Sequence, residues 1–356
     1  MFYPSAPSVV HLEPSTRCNA CCPMCARNIN GGVENPYLPL VDLSFDDIKR
    51  IFPQTFIQSL NKMFMCGNYG DPIVSPYVLD IFDYFQKYNP NIILGMHTNG
   101  SARSQHWWKS LAKIFNKNPK NYIVFGIDGV ETNHLYRRNT NINKILKNAE
   151  IFIKNGGNAK WDFIVFKHNE HEIEKARETA KQLGFSEFRL KKTGRFFSNA
   201  RMAVKQFHEV LNKNGQVEYI IEPPTDPTLM NASLKNEKTI TEKYGSIQNY
   251  LKKTQVNCKV LNDNSVYVSA EGYVFPCCWL ANQMYVWYEK PKNNETWRLI
   301  NETGGIEKLN GRIGIENIIN SNFFQQVKQL WETEKKLWVC GKQCGSDFDP
   351  FANQFK

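Results

Sequence analysis

The chain is 356 residues long and carries 44 Lys and Arg against 34 Asp and Glu, a net charge of +10. This length accommodates one large domain with a smaller one and excludes a peptide-sized scaffold. A hydrophobic fraction of 42% excludes a disordered tail. The positive charge favours anionic partners, but it is dispersed over pairs such as Lys191 and Lys192, which is typical of a solvated surface rather than a nucleic-acid-binding stripe.

Six strand-like segments alternate with five helix-like segments over about the first 200 residues. The predicted strands are residues 8–13, 62–66, 92–96, 122–127, 161–166 and 187–190. The predicted helices begin after Ser44 and after Pro76 and cover residues 104–115, 142–153 and 172–183. Because such alternation is typical of parallel strands with crossover helices, and a full eight-unit barrel would need more chain, we predict an α/β fold, a partial (β/α)6 TIM-like barrel. Its chemistry belongs at the carboxyl ends of the strands.

The rest of the chain predicts two further regions. After a barrel region over residues 1–207, the prolines within residues 223–227 indicate an irregular connector over residues 208–255. Residues 265–269 and 273–275 predict a β-hairpin that leads into Cys277 and Cys278. We therefore expect a smaller α+β cluster-binding domain over residues 256–356.

The N-terminal sequence MFYPSAPSVVHLEP lacks the basic start of a signal peptide, and Pro and Ser interrupt its apolar stretch. No segment approaches the roughly 18 consecutive apolar residues of a membrane span. We expect a cytoplasmic protein that has no membrane partner. Because the first predicted strand begins almost at once, we also expect no N-terminal peptide-recognition domain.

The ten cysteines fall mostly in tight groups, which suggests metal ligands before disulfides. Cys18, Cys22 and Cys25 form a C-x3-C-x2-C triplet directly after the first predicted strand. Three thiolates leave one iron of a four-iron cluster without a protein ligand. A chelating molecule with adjacent amino and carboxylate groups, such as S-adenosylmethionine (SAM), is suited to that iron. A zinc site is the alternative, although a closed zinc site usually takes four ligands.

With this triplet the sequence resembles the radical SAM superfamily, in which a C-x3-C-x2-C loop holds a [4Fe-4S] cluster. The residues after the second predicted strand are similar to the family's Gly-Gly-Glu-Pro element, whose backbone binds the SAM amino group; they are Gly67, Asn68, Tyr69, Gly70, Asp71 and Pro72. Thr98 and Asn99 match a recurrent Thr-Asn-Gly, and Asp128 lies in a Gly-Ile-Asp-Gly similar to another family element. Arg138 aligns with an arginine that pairs with the SAM carboxylate, and a plain surface arginine is the alternative. The resemblance implies that these residues bind SAM.

Four further thiolates, enough to close a second four-iron cluster, come from Cys258, Cys277, Cys340 and Cys344. Their Cys-x13-Gly-x4-Cys spacing resembles the SPASM and twitch extensions of radical SAM enzymes. A full SPASM domain has seven cysteines and this region has five, so a twitch form with one auxiliary [4Fe-4S] cluster fits better. Spacing favours Cys277 over Cys278, and a zinc site is the alternative. Cys21, Cys66 and Cys278 remain as small buried hydrophobes, with a redox or proton-transfer role for Cys66 as the lesser alternative.

The resemblance implies a radical SAM oxidoreductase. Such an enzyme cleaves SAM reductively to a 5′-deoxyadenosyl radical, which abstracts hydrogen from a peptide or a small molecule such as a sugar or nucleotide. The auxiliary cluster would accept the substrate's electron, and a reductant such as flavodoxin or ferredoxin would be a partner. The positive charge mildly favours an anionic substrate. One alternative is a nucleic-acid-modifying radical SAM enzyme with Trp107 and Trp108 in its contact face, which is less favoured; another is a non-catalytic metal-cluster-binding module.

Overall fold

The computed structural model describes residues 1–198, 203–290 and 293–347. Its central feature is an open, curved sheet in which six parallel strands follow one another in chain order. They are β1 (Val9–Leu12), β2 (Lys62–Met65), β3 (Ile93–Thr98), β4 (Tyr122–Gly126), β5 (Ala159–Ile164) and β6 (Glu187–Lys191). Each begins and ends within two residues of its predicted position. The predicted partial α/β barrel is confirmed.

The helices that follow these strands bury their apolar stripes in the same core as the strands. They are Phe45–Ile51, Gln54–Gln58, Val78–Tyr88, Gln105–Phe115, Asn133–Tyr136, Ile142–Lys154 and Ile173–Leu183, with short 3-10 turns at Pro72–Val74 and Glu170–Glu172. Ser44 caps the first of these helices, as its predicted start requires, since the Asp47 amide donates to Ser44 Oγ at 3.1 Å. Gln54–Gln58 and Asn133–Tyr136 were not predicted, because four or five residues are too few to show a helical period.

Regular structure occupies much of the predicted connector. Within it, β9 (His208–Leu211) and β10 (Val217–Ile221) pair antiparallel; just before it, β7 (Phe197–Ser198) and β8 (Ala203–Val204) do the same. Further along lie a 3-10 turn at Pro227–Leu229 and the helices Ala232–Lys235, Glu237–Tyr244 and Ile247–Lys253. Only the proline-containing stretch between β10 and the first of these helices is irregular in the way that its composition predicts.

The predicted hairpin is present as β11 (Ser265–Val268) and β12 (Val274–Phe275), which pair antiparallel. β11 also pairs in parallel with β1, with Tyr267 opposite His11. The full sheet therefore runs β12-β11-β1-β2-β3-β4-β5-β6. The sequence did not predict this pairing, which brings the segment before Cys277 to the side of the strand that precedes Cys18.

The C-terminal region is otherwise helical. It contains Lys259–Asn262, Cys278–Ala281, Glu295–Glu302, Ile315–Ile319, Asn322–Gln329 and Trp338–Cys344, with 3-10 turns at Ile306–Leu309, Gly311–Ile313 and Leu330–Glu332. The last nine residues of the predicted 256–356 domain lie outside the described residues. Across the described ranges, no helix is both long and apolar enough to cross a membrane.

Candidate active site

The cysteine triplet occupies the loop that leaves the carboxyl end of β1. A turn joins its last two members, since the Cys25 amide donates to the Cys22 carbonyl at 3.1 Å. Burial raises the pKa of the Cys22 thiol to about 11, opposed by the nearby Arg137 guanidinium. Arg137 Nη1 lies 3.9 Å from Cys22 Sγ, and Asn99 Nδ2 lies 3.7 Å from Cys18 Sγ. Donors from two neighbouring strand ends thus face these sulfurs, an arrangement that stabilises negatively charged sulfur.

Asp71 connects two of the predicted SAM-binding elements. Its buried carboxylate accepts hydrogen bonds from the Thr98 hydroxyl at 2.8 Å and from the Asn99 amide at 2.7 Å. The 67–72 loop after β2 is therefore tied to the Thr98–Asn99 turn after β3. The same loop approaches the cysteine loop closely, because a Cβ on Gly70 would lie 1.8 Å from the Ser15 carbonyl oxygen. The glycine at position 70 is thus explained by this backbone contact.

Asp128 is fully buried after β4 and orients an arginine. Its carboxylate accepts from Arg137 Nε at 2.6 Å and from the Ile164 amide at 2.7 Å. This ion pair aims the Arg137 guanidinium at the cysteine loop. Arg138, the arginine predicted to pair with the SAM carboxylate, has other partners in the structure: its guanidinium donates to the Leu211 carbonyl at 2.8 Å and pairs with Glu218 at 2.6 Å. The sequence contains both arginines side by side, and the direction of each side chain depends on the turn after the short helix Asn133–Tyr136.

Two more cations that the sequence analysis missed lie near the mouth of the barrel. Arg195 donates to the Tyr136 hydroxyl at 2.6 Å, and its pKa is raised chiefly by Tyr136. Burial lowers the pKa of Lys191, at the end of β6, opposed by the Asp162 carboxylate. Asp162 itself pairs with Arg189 at 2.6 Å. Alternate residues of a strand point to the same face, so Arg189 and Lys191 share the inner face of β6. This alternation is visible in the sequence and could have predicted cations inside the barrel.

Aromatic and imidazole rings fill the middle of the barrel. The His11 ring stacks on Phe64 at 4.4 Å and meets the edge of Tyr267 at 5.0 Å. Burial lowers the pKa of His11 to about 4 and that of His97 to about 3, so both imidazoles are neutral at neutral pH. His11 Nε2 donates to the Cys66 carbonyl at 2.6 Å. Neutral rings therefore fill the middle of the barrel below the cations at its mouth.

Glu13 is a further functional candidate that the sequence analysis missed. It follows β1 and is 1% exposed. Its Oε1 accepts from the amides of Tyr69 at 2.8 Å and Gly70 at 3.0 Å, while the Tyr267 hydroxyl donates to Oε2. Burial raises the Glu13 pKa to about 7, opposed by these hydrogen bonds. A carboxylate at the end of an apolar strand was the only local signal.

The raised pKa of Glu13 predicts a pH-dependent stability. A carboxyl whose pKa is about 7 when folded and 4.5 when unfolded holds its proton more tightly in the folded protein. Its contribution is complete below the unfolded pKa and is lost as the pH rises through about 7. Glu13→Gln should remove this loss, so that from about pH 5 to about pH 8 the variant gains about 3 kcal/mol relative to wild type.

The measurement is the unfolding midpoint of wild type and Glu13→Gln across that pH range. The surface variant Glu316→Gln is the control, because its parent side chain is exposed. A difference between Glu13→Gln and wild type that stays constant with pH would contradict the raised pKa.

Four of the five C-terminal cysteines come together around one largely apolar cavity. Cys340 and Cys344 share a face of the helix Trp338–Cys344, since residues four apart are neighbours on a helix. Cys258 precedes the helix Lys259–Asn262, and all four predicted ligands line the cavity together with Phe2, Leu280 and Val339. A hydrogen bond with Cys344, together with burial, raises the pKa of Cys258. The Asn257 amide donates to the Cys344 carbonyl at 2.8 Å and ties the two segments together.

The structure separates the adjacent Cys277 and Cys278. Cys277 lines the apolar cavity, and its Sγ accepts from the Leu280 amide at 3.4 Å. Cys278 does not line that cavity. Its pKa is raised chiefly by burial and also by the neighbouring Cys66 and Glu13. Cys278 therefore faces the barrel mouth, and Cys66 lies on that side as well. Burial also raises the pKa of Cys66 to about 11.

The proposed aromatic contact face is not present. Trp108 is fully buried, and its indole nitrogen donates to the Ala102 carbonyl at 3.1 Å. Trp107 packs partly against the core and lies 5.5 Å from the Arg103 guanidinium. These rings pack the helix Gln105–Phe115 against the core. The Trp107–Trp108 pair therefore no longer supports a nucleic-acid-modifying enzyme.

The thiol sets fit iron–sulfur clusters by number and by environment. In a four-iron cluster each iron takes one protein ligand, so the thiolates bind different atoms and do not converge on one ion. Among the described residues, no three Cys, His, Asp or Glu side chains are arranged around a single metal-ion position. Three gathered thiols after β1 and four around the apolar cavity supply the ligand numbers of an open and a closed cluster.

Solved structures of other proteins share this fold. The solved structure of anSMEcpe with bound AdoMet (SAM) and the Cp18Cys peptide is 14% identical, with 97% of this chain and 94% of that chain covered at a TM-score of 0.55. Streptococcus suis SuiB bound to its precursor peptide SuiA is 14% identical, with 94% and 76% covered at a TM-score of 0.50. At these identities the likeness shows a shared fold. No sequence among the curated proteins matches the chain. Residues 12–181, just under half of the chain, match the family described as the Radical SAM superfamily.

Proposed function

We propose that Cys18, Cys22 and Cys25 hold a [4Fe-4S] cluster and that SAM binds at its remaining iron. Reductive cleavage of SAM bound there supplies a 5′-deoxyadenosyl radical, which removes a hydrogen atom from the substrate. The observation that carries this proposal is the cysteine triplet at the carboxyl end of β1, faced by Asn99 and Arg137 from the neighbouring strand ends. The family match over the same part of the chain supports it.

The surrounding residues have distinct proposed roles in binding SAM. The backbone of residues 67–72 would take the amino group, as the resemblance implies, and Asp71 holds that loop against the Thr98–Asn99 turn. Asp128 neutralises one of the two guanidinium charges of Arg137 and Arg195. The remaining positive charge favours a carboxylate, so we assign the SAM carboxylate to Arg137 and Arg195 in place of Arg138.

For the second site we propose an auxiliary [4Fe-4S] cluster held by Cys258, Cys277, Cys340 and Cys344. Four thiols around a largely apolar cavity leave no position for direct ligation of a substrate. The site is therefore suited to accepting the substrate's electron, which would make the overall reaction an oxidation. A flavodoxin or ferredoxin would supply the electron for SAM cleavage.

The proposed substrate is a peptide or an anionic small molecule that enters the barrel mouth. Arg195 and Lys191 provide positive charge there, and cations that line a cleft attract anionic groups. Two enzymes that share the fold, anSMEcpe and SuiB, were solved with peptides bound. The uncharged rings of His11, Phe64 and His97 would exclude water beneath the reacting carbon.

The test is SAM cleavage by the whole protein. The chain is reconstituted anaerobically with iron and sulfide, then mixed with dithionite and SAM, and 5′-deoxyadenosine is measured by chromatography and mass spectrometry. We expect 5′-deoxyadenosine to accumulate with time, together with about twice the iron of a single four-iron cluster per chain. Zinc in place of iron, or no 5′-deoxyadenosine with any reductant, would rule out this function.

A further inference from the structure

We propose that Asn68 and Tyr69 are positioning residues through which the segment after Cys277 holds the 67–72 loop in place for SAM. The C-terminal region would then complete the first site as well as carry the second, so that loss of the auxiliary cluster weakens SAM binding. This inference rests on the proposed function, and it concerns two residues by which the loop departs from the family's Gly-Gly-Glu-Pro element.

Both side chains leave the loop and reach the C-terminal region. Asn68 Nδ2 donates to the Cys278 carbonyl at 2.8 Å, and the Tyr69 hydroxyl donates to the Asn282 carbonyl at 3.0 Å. Cys278 and Asn282 stand at the two ends of the short helix Cys278–Ala281. We call these two hydrogen bonds the loop bridge. It joins the predicted SAM loop to the helix that begins directly after Cys277.

The other side of the loop is held by Glu13. The carboxylate accepts from the amides of Tyr69 and Gly70, at 2.8 and 3.0 Å. Tyr267, on β11, closes the arrangement, because its hydroxyl donates to Glu13 and accepts from Asn68 Nδ2 at 3.2 Å. The loop backbone is thus fixed between β1 and the C-terminal helix. Tyr69 is 5% exposed, so breaking its hydrogen bond would leave a poorly solvated hydroxyl and carbonyl.

The helix at the far end of the bridge depends on Cys277. Cys277 Sγ accepts from the Leu280 amide at 3.4 Å, and the Cys277 carbonyl accepts from the Ala281 amide at 3.2 Å. A helix of four residues is not stable by itself and takes its geometry from such contacts. Any change in how Cys277 is held therefore moves the two carbonyl oxygens on which Asn68 and Tyr69 depend.

The first test is equilibrium binding of SAM to the reconstituted protein without reductant, so that SAM stays intact. Tyr69→Phe removes one hydrogen bond and keeps the ring, and we expect it to weaken SAM binding about three- to tenfold. Tyr84→Phe is the matched control, because the Tyr84 hydroxyl also donates to a backbone carbonyl, that of Phe52 at 3.1 Å, far from the bridge. Cys258→Ala, which removes a ligand of the auxiliary cluster, should weaken SAM binding as well.

The second test separates positioning from general loosening of the fold. In wild type, SAM should slow hydrogen exchange in residues 67–72 and also in residues 278–283. With Asn68→Ala and Tyr69→Phe combined, protection by SAM should remain in residues 67–72 and disappear from residues 278–283. Equal protection of residues 278–283 in variant and wild type, or unchanged SAM affinity in Tyr69→Phe, would refute the bridge. Wild-type protein that fails to bind SAM would instead overturn the proposed function.

Discussion

Replacement of Cys22 by alanine is expected to abolish 5′-deoxyadenosine formation, whereas replacement of the adjacent Cys21 by alanine should leave it close to wild type. Cys22 is buried in the cysteine loop beside Arg137. Cys21 Sγ points elsewhere, since it accepts from Asn139 Nδ2 at 3.2 Å. Loss of one of three thiolates leaves two irons of the cube without protein ligands, and the site then no longer holds the cluster.

The measurement pairs 5′-deoxyadenosine formation with iron and sulfide content. In Cys22→Ala the iron should fall to about half of the wild-type value, because the auxiliary site remains. Cys21→Ala controls for the general effect of removing a thiol from this loop. Retention of full iron content and SAM cleavage by Cys22→Ala would show that the triplet is not the cluster site.

Local pattern was sufficient for the barrel and for the cysteine loop. The six strands and their helices carry periodic apolar residues, and periodicity depends only on neighbours in sequence. Because the strands are parallel, their carboxyl ends meet at one edge, where Asp71 contacts Thr98 and Asn99.

The features that the sequence did not reveal depend on distant partners. Glu13 and Tyr267 are 254 residues apart, and their contact exists only because β11 joins the barrel beside β1. No local pattern specifies that pairing, since the period of a strand is the same whichever strand it pairs with. The loop bridge also depends on distant partners. In the sequence Asn68 and Tyr69 only interrupt the resemblance to the Gly-Gly-Glu-Pro element, and their hydrogen-bond partners lie on the helix after Cys277.

The different positions of Arg137 and Arg138 have another cause. Two adjacent arginines are equivalent in composition, and their roles are set by backbone direction after a helix of four residues. In the structure Asp128 accepts from Arg137, and Glu218 of the hairpin formed by β9 and β10 pairs with Arg138. That hairpin lay within the predicted irregular connector, so the partner that draws Arg138 away was not anticipated.

Alanine at Cys277 is expected to remove the auxiliary cluster, whereas alanine at Cys278 should retain it. Cys277 lines the cavity formed with Cys258, Cys340 and Cys344, while Cys278 faces Cys66 and Glu13 at the barrel mouth. The iron content of Cys277→Ala should fall to about half that of wild type, and that of Cys278→Ala should be unchanged. Iron analysis and the electron paramagnetic resonance spectrum of the reduced protein measure this directly.

The two variants also separate the roles of the two clusters. Because the cysteine triplet is intact in Cys277→Ala, this variant should still form 5′-deoxyadenosine. Its SAM affinity should be lowered through the loop bridge. It should not complete an oxidation that needs the auxiliary cluster as electron acceptor. Cys278→Ala keeps the backbone carbonyl that accepts from Asn68, so its SAM affinity should match wild type. The reverse pattern, with iron lost from Cys278→Ala and kept in Cys277→Ala, would place Cys278 among the ligands and would require the helix Cys278–Ala281 to turn its first residue toward the apolar cavity.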